Sequence, residues 1–168
     1  MRRVNPQFAV GNATWVGEFE DAIPSDTDVV HLHWPFIGGI RALLKWKRRH
    51  PNIPLTMTYH MDLLASGLKG LFFRAYVRGT LPKVVGLAEK IIVTSFDYAQ
   101  ESQLCALQNL QSAIYNLQSE IPLGVDTARF SPGQKDSALM ARYGIAPRDR
   151  VILTVCALDR AHAFKGIE

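Results

Sequence analysis

Residues 28–39 read DVVHLHWPFIGG, and this stretch decides the fold. Asp28 to His33 is a short, largely apolar run stopped by Trp34-Pro35. Proline cannot donate to a ladder, so the run predicts a buried strand that ends there. Gly38 and Gly39 then lead into RALLKWKRRH (41–50). Ile40, Leu43, Leu44 and Trp46 are its inward positions, and Arg41, Lys45, Arg48 and Arg49 its outward ones, the pattern of a surface helix. Pro51 and Pro54 break it.

The same unit repeats along the chain. LTMTYH (55–60) is rich in residues that suit a strand. Residues 61–87 are punctuated by Gly67, Gly70, Gly79 and Pro82, and their middle, LFFRAYVR (71–78), predicts an amphipathic helix. KIIVTS (90–95) predicts the clearest strand, and Tyr98 to Leu107 a helix. A short strand near Gln118 to Ile121 and a turn at 122–126 follow. Phe130 to Gly133 reads as a linker, Ser137 to Tyr143 as a helix ended by Gly144, and Val151 to Cys156 as a last buried strand. Strands alternating with helices predict right-handed βαβ units. The expectation is an α/β, Rossmann-like parallel sheet over 1–132, with 133–168 a linker and the beginning of a second domain.

Composition excludes several classes. Of 168 residues, 48% are hydrophobic and 20% charged, a globular balance that argues against disorder. No apolar run is long enough to span a bilayer, and the N-terminus lacks a signal-peptide core. A cytoplasmic protein is expected. Cys105 and Cys156 have no metal-ligand spacing and read as buried thiols, with no disulfide framework implied. The net charge of +4 is uneven, with five Arg or Lys and no acid in 41–50. A basic face suits an anionic partner, or is simply a solvated helix face.

In parallel sheets ligands bind beyond the carboxyl ends of the strands. That rule places His33, Trp34, His60, Ser95 and Asp97 at candidate positions, and of these His33 and His60 end or nearly end two different strands, where an imidazole can bond a hydroxyl or phosphate or carry a proton. Such a histidine can equally be satisfied by a neighbouring carbonyl. His31 and His33 are expected on opposite faces of their strand, so HLH is not read as a metal pair and no metal is expected. Gly38-Gly39 before a helix could bring backbone N–H groups near a phosphate, or mark only the start of the helix. Neither nucleotide-binding glycine motif is present, nor the hydrolase serine motif. Arg160, His162 and Lys165 follow the last predicted strand, where cations suit a diphosphate. The basic stretches carry no recognised nucleic-acid motif, so no nucleic-acid partner is expected.

Five segments in order resemble the retaining glycosyltransferases of family 4, which have the two-Rossmann GT-B fold. They are DVVHLHWPFIGG (28–39), PLTMTYH (54–60), AEKIIVTSFDYAQE (88–101), IPLGVDTARFSP (121–132) and VILTVCALDRAHAFKG (151–166). The family commonly has I-P-N-G-V-D in the fourth; here Leu123 replaces the asparagine. The resemblance implies transfer of a sugar from a nucleoside diphosphate sugar to a glycan or lipid-linked acceptor, with retention and without a required metal or other cofactor. His60 matches a histidine that reaches the transferred sugar, and Lys165 matches the lysine that neutralises the donor diphosphate. The family's G-R-L is Cys156-Ala157-Leu158 here, so Arg160 is expected to stand in for the missing arginine. His33, Gly38 and Gly39 are expected to line the substrate crevice.

The resemblance also implies a first strand with a glycine-rich loop and a donor-side Glu pair that this sequence does not contain. The chain is therefore expected to be truncated at both ends and inactive alone. Docking on an anionic inner membrane face fits the family and the basic stretch 41–83. Within it Phe72, Phe73 and Tyr76 are expected in the core, and Lys69, Arg74 and Arg78 on the surface. The alternatives are a non-catalytic membrane- or phosphate-binding module of Rossmann-like shape, and a GT-B enzyme of another kind.

Overall fold

A computed structural model describes residues 5–10, 13–17, 19, 22–24, 26–107 and 118–155. The chain divides into two compact units, Met1–Gly124 and Val125–Glu168.

The first unit opens on a hairpin of two three-residue strands, β1 (Phe8–Val10) and β2 (Ala13–Trp15), paired antiparallel with Phe8 opposite Trp15. The main sheet follows. Its strands are β3 (Val30–Trp34), β4 (Leu55–Tyr59), β5 (Lys90–Val93) and β6 (Gln118–Glu120), all parallel and in the order β3-β4-β5-β6. Between them run α1 (Ile40–Arg49), α2 (Gly67–Val85) and α3 (Phe96–Glu101). Spatial order equals chain order, so right-handed crossovers carry the connecting helices to one face. This is an α/β fold with a four-stranded parallel sheet, compatible with a Rossmann-like arrangement.

The pleat sorts side chains between the two faces. Leu32 and Trp34 of β3, Leu55, Met57 and Tyr59 of β4, and Ile91 and Val93 of β5 point into the core. There they join Ile40, Leu43, Leu44 and Trp46 of α1 and Val77, Leu81, Val84 and Val85 of α2. Trp34 is fully buried and lies parallel to Tyr59, with ring centroids 6.4 Å apart. Lys47 is also buried, at 6% exposure. Its Nζ donates to the carbonyls of Pro51 (2.9 Å) and Ile53, which ties the α1–β4 turn to the helix.

Three elements differ from the sequence expectation. Helix α2 runs unbroken from Gly67 to Val85 through Gly70, Gly79 and Pro82. Burying Val77, Leu81, Val84 and Val85 against the sheet outweighs the roughly 1 kcal/mol each glycine costs. Helix α3 stops at Glu101, and turns replace helix over 102–106. There the Ser102 hydroxyl bonds the Ala99 carbonyl and accepts from the Leu104 N–H, competing with the helical ladder. Cys105 is only half-buried, and Cys156 lies outside the described residues.

The second unit holds α4 (Ser137–Tyr143). Asp136 caps it, accepting from the N–H groups of Ala138 (2.8 Å) and Leu139 (3.0 Å). Gly144 ends it at φ +63°, the left-handed stop read from the sequence. The expected strand at 151–156 is corrected: residues 151–155 are not strand, and Val151, Ile152, Leu153 and Val155 are exposed. Apolar, β-branched composition makes a strand only where a ladder partner meets its N–H and C=O groups. Among the described residues none does. No helix among the described residues is long and apolar enough to cross a membrane.

Candidate functional site

The face of the sheet opposite the core gathers the polar residues. His31 and His33 are both exposed on it, while Leu32 and Trp34 point the other way. The expectation that the two histidines face apart is overturned, because residues two apart on a strand share a face. Their rings lie edge to face with centroids 4.8 Å apart. The register sets His31 opposite Thr56 and His33 opposite Thr58. His31 is held between the two hydroxyls, with Nδ1 2.7 Å from Thr56 Oγ1 and Nε2 2.8 Å from Thr58 Oγ1.

His60 completes the cluster one step beyond β4. Its backbone N–H donates to the Trp34 carbonyl at 3.1 Å, extending the β3–β4 ladder. Its Nε2 then lies 2.7 Å from His33 Nδ1. The two strand-end histidines singled out from the sequence therefore touch. Partial burial, and then the neighbouring His33, hold His60 below the ordinary imidazole range. Burial, then His33 and His60, do the same to His31. Both shifts favour the neutral rings of His31 and His60.

Sequence reasoning missed what fixes the loop that carries His60. Asp62 accepts from the buried Tyr59 hydroxyl (2.5 Å) and from the Gln103 N–H (3.1 Å). Its own N–H donates to Tyr98 Oη at 2.8 Å. Gln103 exchanges two further bonds of 3.2 Å with the backbone of Leu63. Burial, then the bond to Asp62, push the Tyr59 hydroxyl well above its usual range, so it remains a donor. The β4–α2 loop is thus bolted to the α3 region two residues after His60.

Gly38 and Gly39 sit at the start of α1, and both are needed for packing. Gly38 has φ +89°, and a Cβ there would lie 2.0 Å from the Thr14 carbonyl oxygen. Its own carbonyl accepts from the Val16 N–H at 3.1 Å. A Cβ on buried Gly39 would meet the Phe36 ring at 2.1 Å. The pair brings the hairpin and Phe36 against the start of α1. Arg160, His162 and Lys165 lie outside the described residues.

A second feature lies on α2 and the loop before it. Leu64, Leu68, Leu71 and Phe72 are exposed, Leu68 at 87%. Lys69, Arg74 and Arg78 are exposed beside them. Phe73 and Tyr76 pack partly against the core, as expected, whereas Phe72, 57% exposed, does not. A helix in contact with one sheet buries one stripe, and Phe72 falls outside it.

Among the described residues no group of three or more His, Cys, Asp or Glu is arranged to hold a metal ion. No protein-family model, no curated protein and no solved structure matches the chain.

Proposed function

We propose that the chain takes part in retaining glycosyl transfer from a nucleoside diphosphate sugar, and that it belongs to a GT-B architecture in which its first unit is the acceptor side. One observation carries the reading: His33, the penultimate residue of β3, and His60, one residue past β4, stand in contact at the carboxyl ends of two adjacent parallel strands. Ligands of open α/β sheets bind in that position. Imidazoles there suit sugar hydroxyls, which both donate and accept. His60 is the candidate contact to the transferred sugar. Arg160 and Lys165 are the candidate ligands of the diphosphate, where fixed cations stabilise the charge that develops as the bond breaks.

The test is a titration of the 15N-histidine-labelled chain with UDP-, GDP-, ADP- and dTDP-sugars. One donor is expected to shift the His60 ring signals. The double variant Arg160→Ala/Lys165→Ala should weaken that donor at least about tenfold, roughly 1.4 kcal/mol. If no donor in the panel moves His60, the reading falls.

The α2 surface favours a second property, docking on an anionic membrane. Apolar Leu64, Leu68, Leu71 and Phe72 beside exposed Lys69, Arg74 and Arg78 match an interface that is apolar inside and negatively charged at its surface. The chain should sediment with phosphatidylserine-containing vesicles at low salt and lose them at high salt. Replacing the three cations by alanine should cost about 1 kcal/mol each. Absence of low-salt binding would remove the proposal.

A further inference from the structure

Two imidazoles that meet nitrogen to nitrogen leave little freedom for their protons. His33 Nδ1 and His60 Nε2 are 2.7 Å apart, with ring planes 16° apart and centroids separated by 5.0 Å. That centroid separation is close to the nitrogen–nitrogen distance plus two ring radii. The rings therefore join edge to edge, nearly coplanar, and only one hydrogen fits on the line between them.

A neutral imidazole carries one N–H and one bare nitrogen. Suppose the bridging hydrogen sits on His33 Nδ1. Then His33 Nε2 is bare, and His60, accepting at Nε2, carries its hydrogen on Nδ1. Suppose instead that it sits on His60 Nε2. Then His60 Nδ1 is bare, and His33 carries its hydrogen on Nε2. In both states the two remaining nitrogens are one donor and one acceptor, and the states differ only in which is which.

We propose that His33 and His60 form a single proton-relay unit, in which a proton taken up at the free nitrogen of one ring drives release of another from the free nitrogen of its neighbour. The inference rests on the glycosyl-transfer reading for the identity of the two ends. The acceptor hydroxyl gives its proton to bare His60 Nδ1. The bridging hydrogen passes from His60 Nε2 to His33 Nδ1, and the His33 Nε2 proton passes to the leaving diphosphate oxygen. The acceptor oxygen bonds to the sugar's anomeric carbon as the carbon–oxygen bond to the diphosphate breaks, its electron pair leaving with that oxygen. The unit ends neutral, in its other tautomeric state.

The surroundings fit two members and no third. His31 stands edge-on to His33, but Thr56 and Thr58 occupy both of its nitrogens. The contact is set by the backbone: the His60 N–H bond to Trp34 carries the ladder one residue past Tyr59 and brings His60 beside His33. The lowered proton affinity of His60 favours its neutral ring, the form that can accept the proton.

The arrangement makes a sharp prediction for the ligand-free chain. One state has both rings as Nδ1–H and the other has both as Nε2–H, so the two histidines must show equal tautomer fractions. Long-range 1H–15N spectra of the 15N-histidine-labelled protein at about pH 8, where histidine is neutral, measure those fractions. Equal fractions are the expected result, and in His33→Ala the His60 fraction should change while the backbone spectrum stays folded. His33→Asn gives a second reading: its amide can still bond His60 but cannot relay, so a donor that shifts His60 in the wild type should still shift it in the variant. Unequal fractions in the wild type, or a His60 tautomer indifferent to loss of His33, would overturn the relay. Equal fractions with no donor effect would leave the relay standing and remove only the glycosyl-transfer reading.

Discussion

Replacing Asp62 by alanine is expected to destabilise the protein by about 3 kcal/mol, although the residue lies in a loop. The Tyr59 hydroxyl donates to Asp62 from a residue only 1% exposed, so the lost acceptor is one that a core side chain relies on. A buried donor left without a partner costs about 1–3 kcal/mol. The Gln103 N–H loses its acceptor in the same step. Urea titration of the variant measures the sum. The double variant Tyr59→Phe/Asp62→Ala should recover part of the loss, because it removes the orphaned donor together with its acceptor. A change within about 0.5 kcal/mol for the single variant would show that the loop is held by something else.

The second large effect is expected at Gly38, where alanine faces two obstacles at once. At φ +89° any side chain is strained, by about 1–3 kcal/mol. The added Cβ would also lie 2.0 Å from the Thr14 oxygen and 3.1 Å from Trp15 Cα, both backbone atoms that cannot swing aside. The hairpin must move off the start of α1. Trp15 reports this directly, because it is 38% exposed while Trp34 and Trp46 are 0% and 3% exposed. Gly38→Ala should lower stability by at least about 2 kcal/mol and increase quenching of tryptophan fluorescence by acrylamide. Gly39→Ala should cost less, since the atoms it meets belong to the Phe36 ring, which can turn. Equal effects of the two substitutions would contradict this account.

Much of the sheet was legible because it rests on local pattern. Apolar runs ended by Pro35, by His60 and by Ser95 marked β3, β4 and β5, and the helical stretches between them implied parallel pairing. The hairpin was not read, because each of its strands has only three residues. Its one signal was Gly11-Asn12 between Val10 and Ala13, the composition of a two-residue turn. The run 151–155 shows the opposite failure, strong composition without a ladder. At the site, His33 and His60 could be singled out one by one, but their contact depends on register, which no local pattern states. His31 was set aside by misassigning a period of two, a rule the sequence itself satisfied. Asp62 was invisible for another reason: its partners Tyr98 and Gln103 lie 36 and 41 residues away.

Lys47 has one further consequence, for substitution. Charge counting assigns five cations to residues 41–50, yet only Arg41, Lys45, Arg48 and Arg49 reach solvent. The ammonium of Lys47 is spent on two carbonyls of the following turn. The solvent-facing cations of that helix are therefore four, while the fifth charge faces the turn. Position 47 should accept neither a short residue nor a branched one, and arginine's rigid fork does not fit two carbonyls placed for a single tetrahedral nitrogen. In any set of related sequences, lysine there would track the Pro51–Ile53 turn and ignore the rise and fall of charge at its four neighbours.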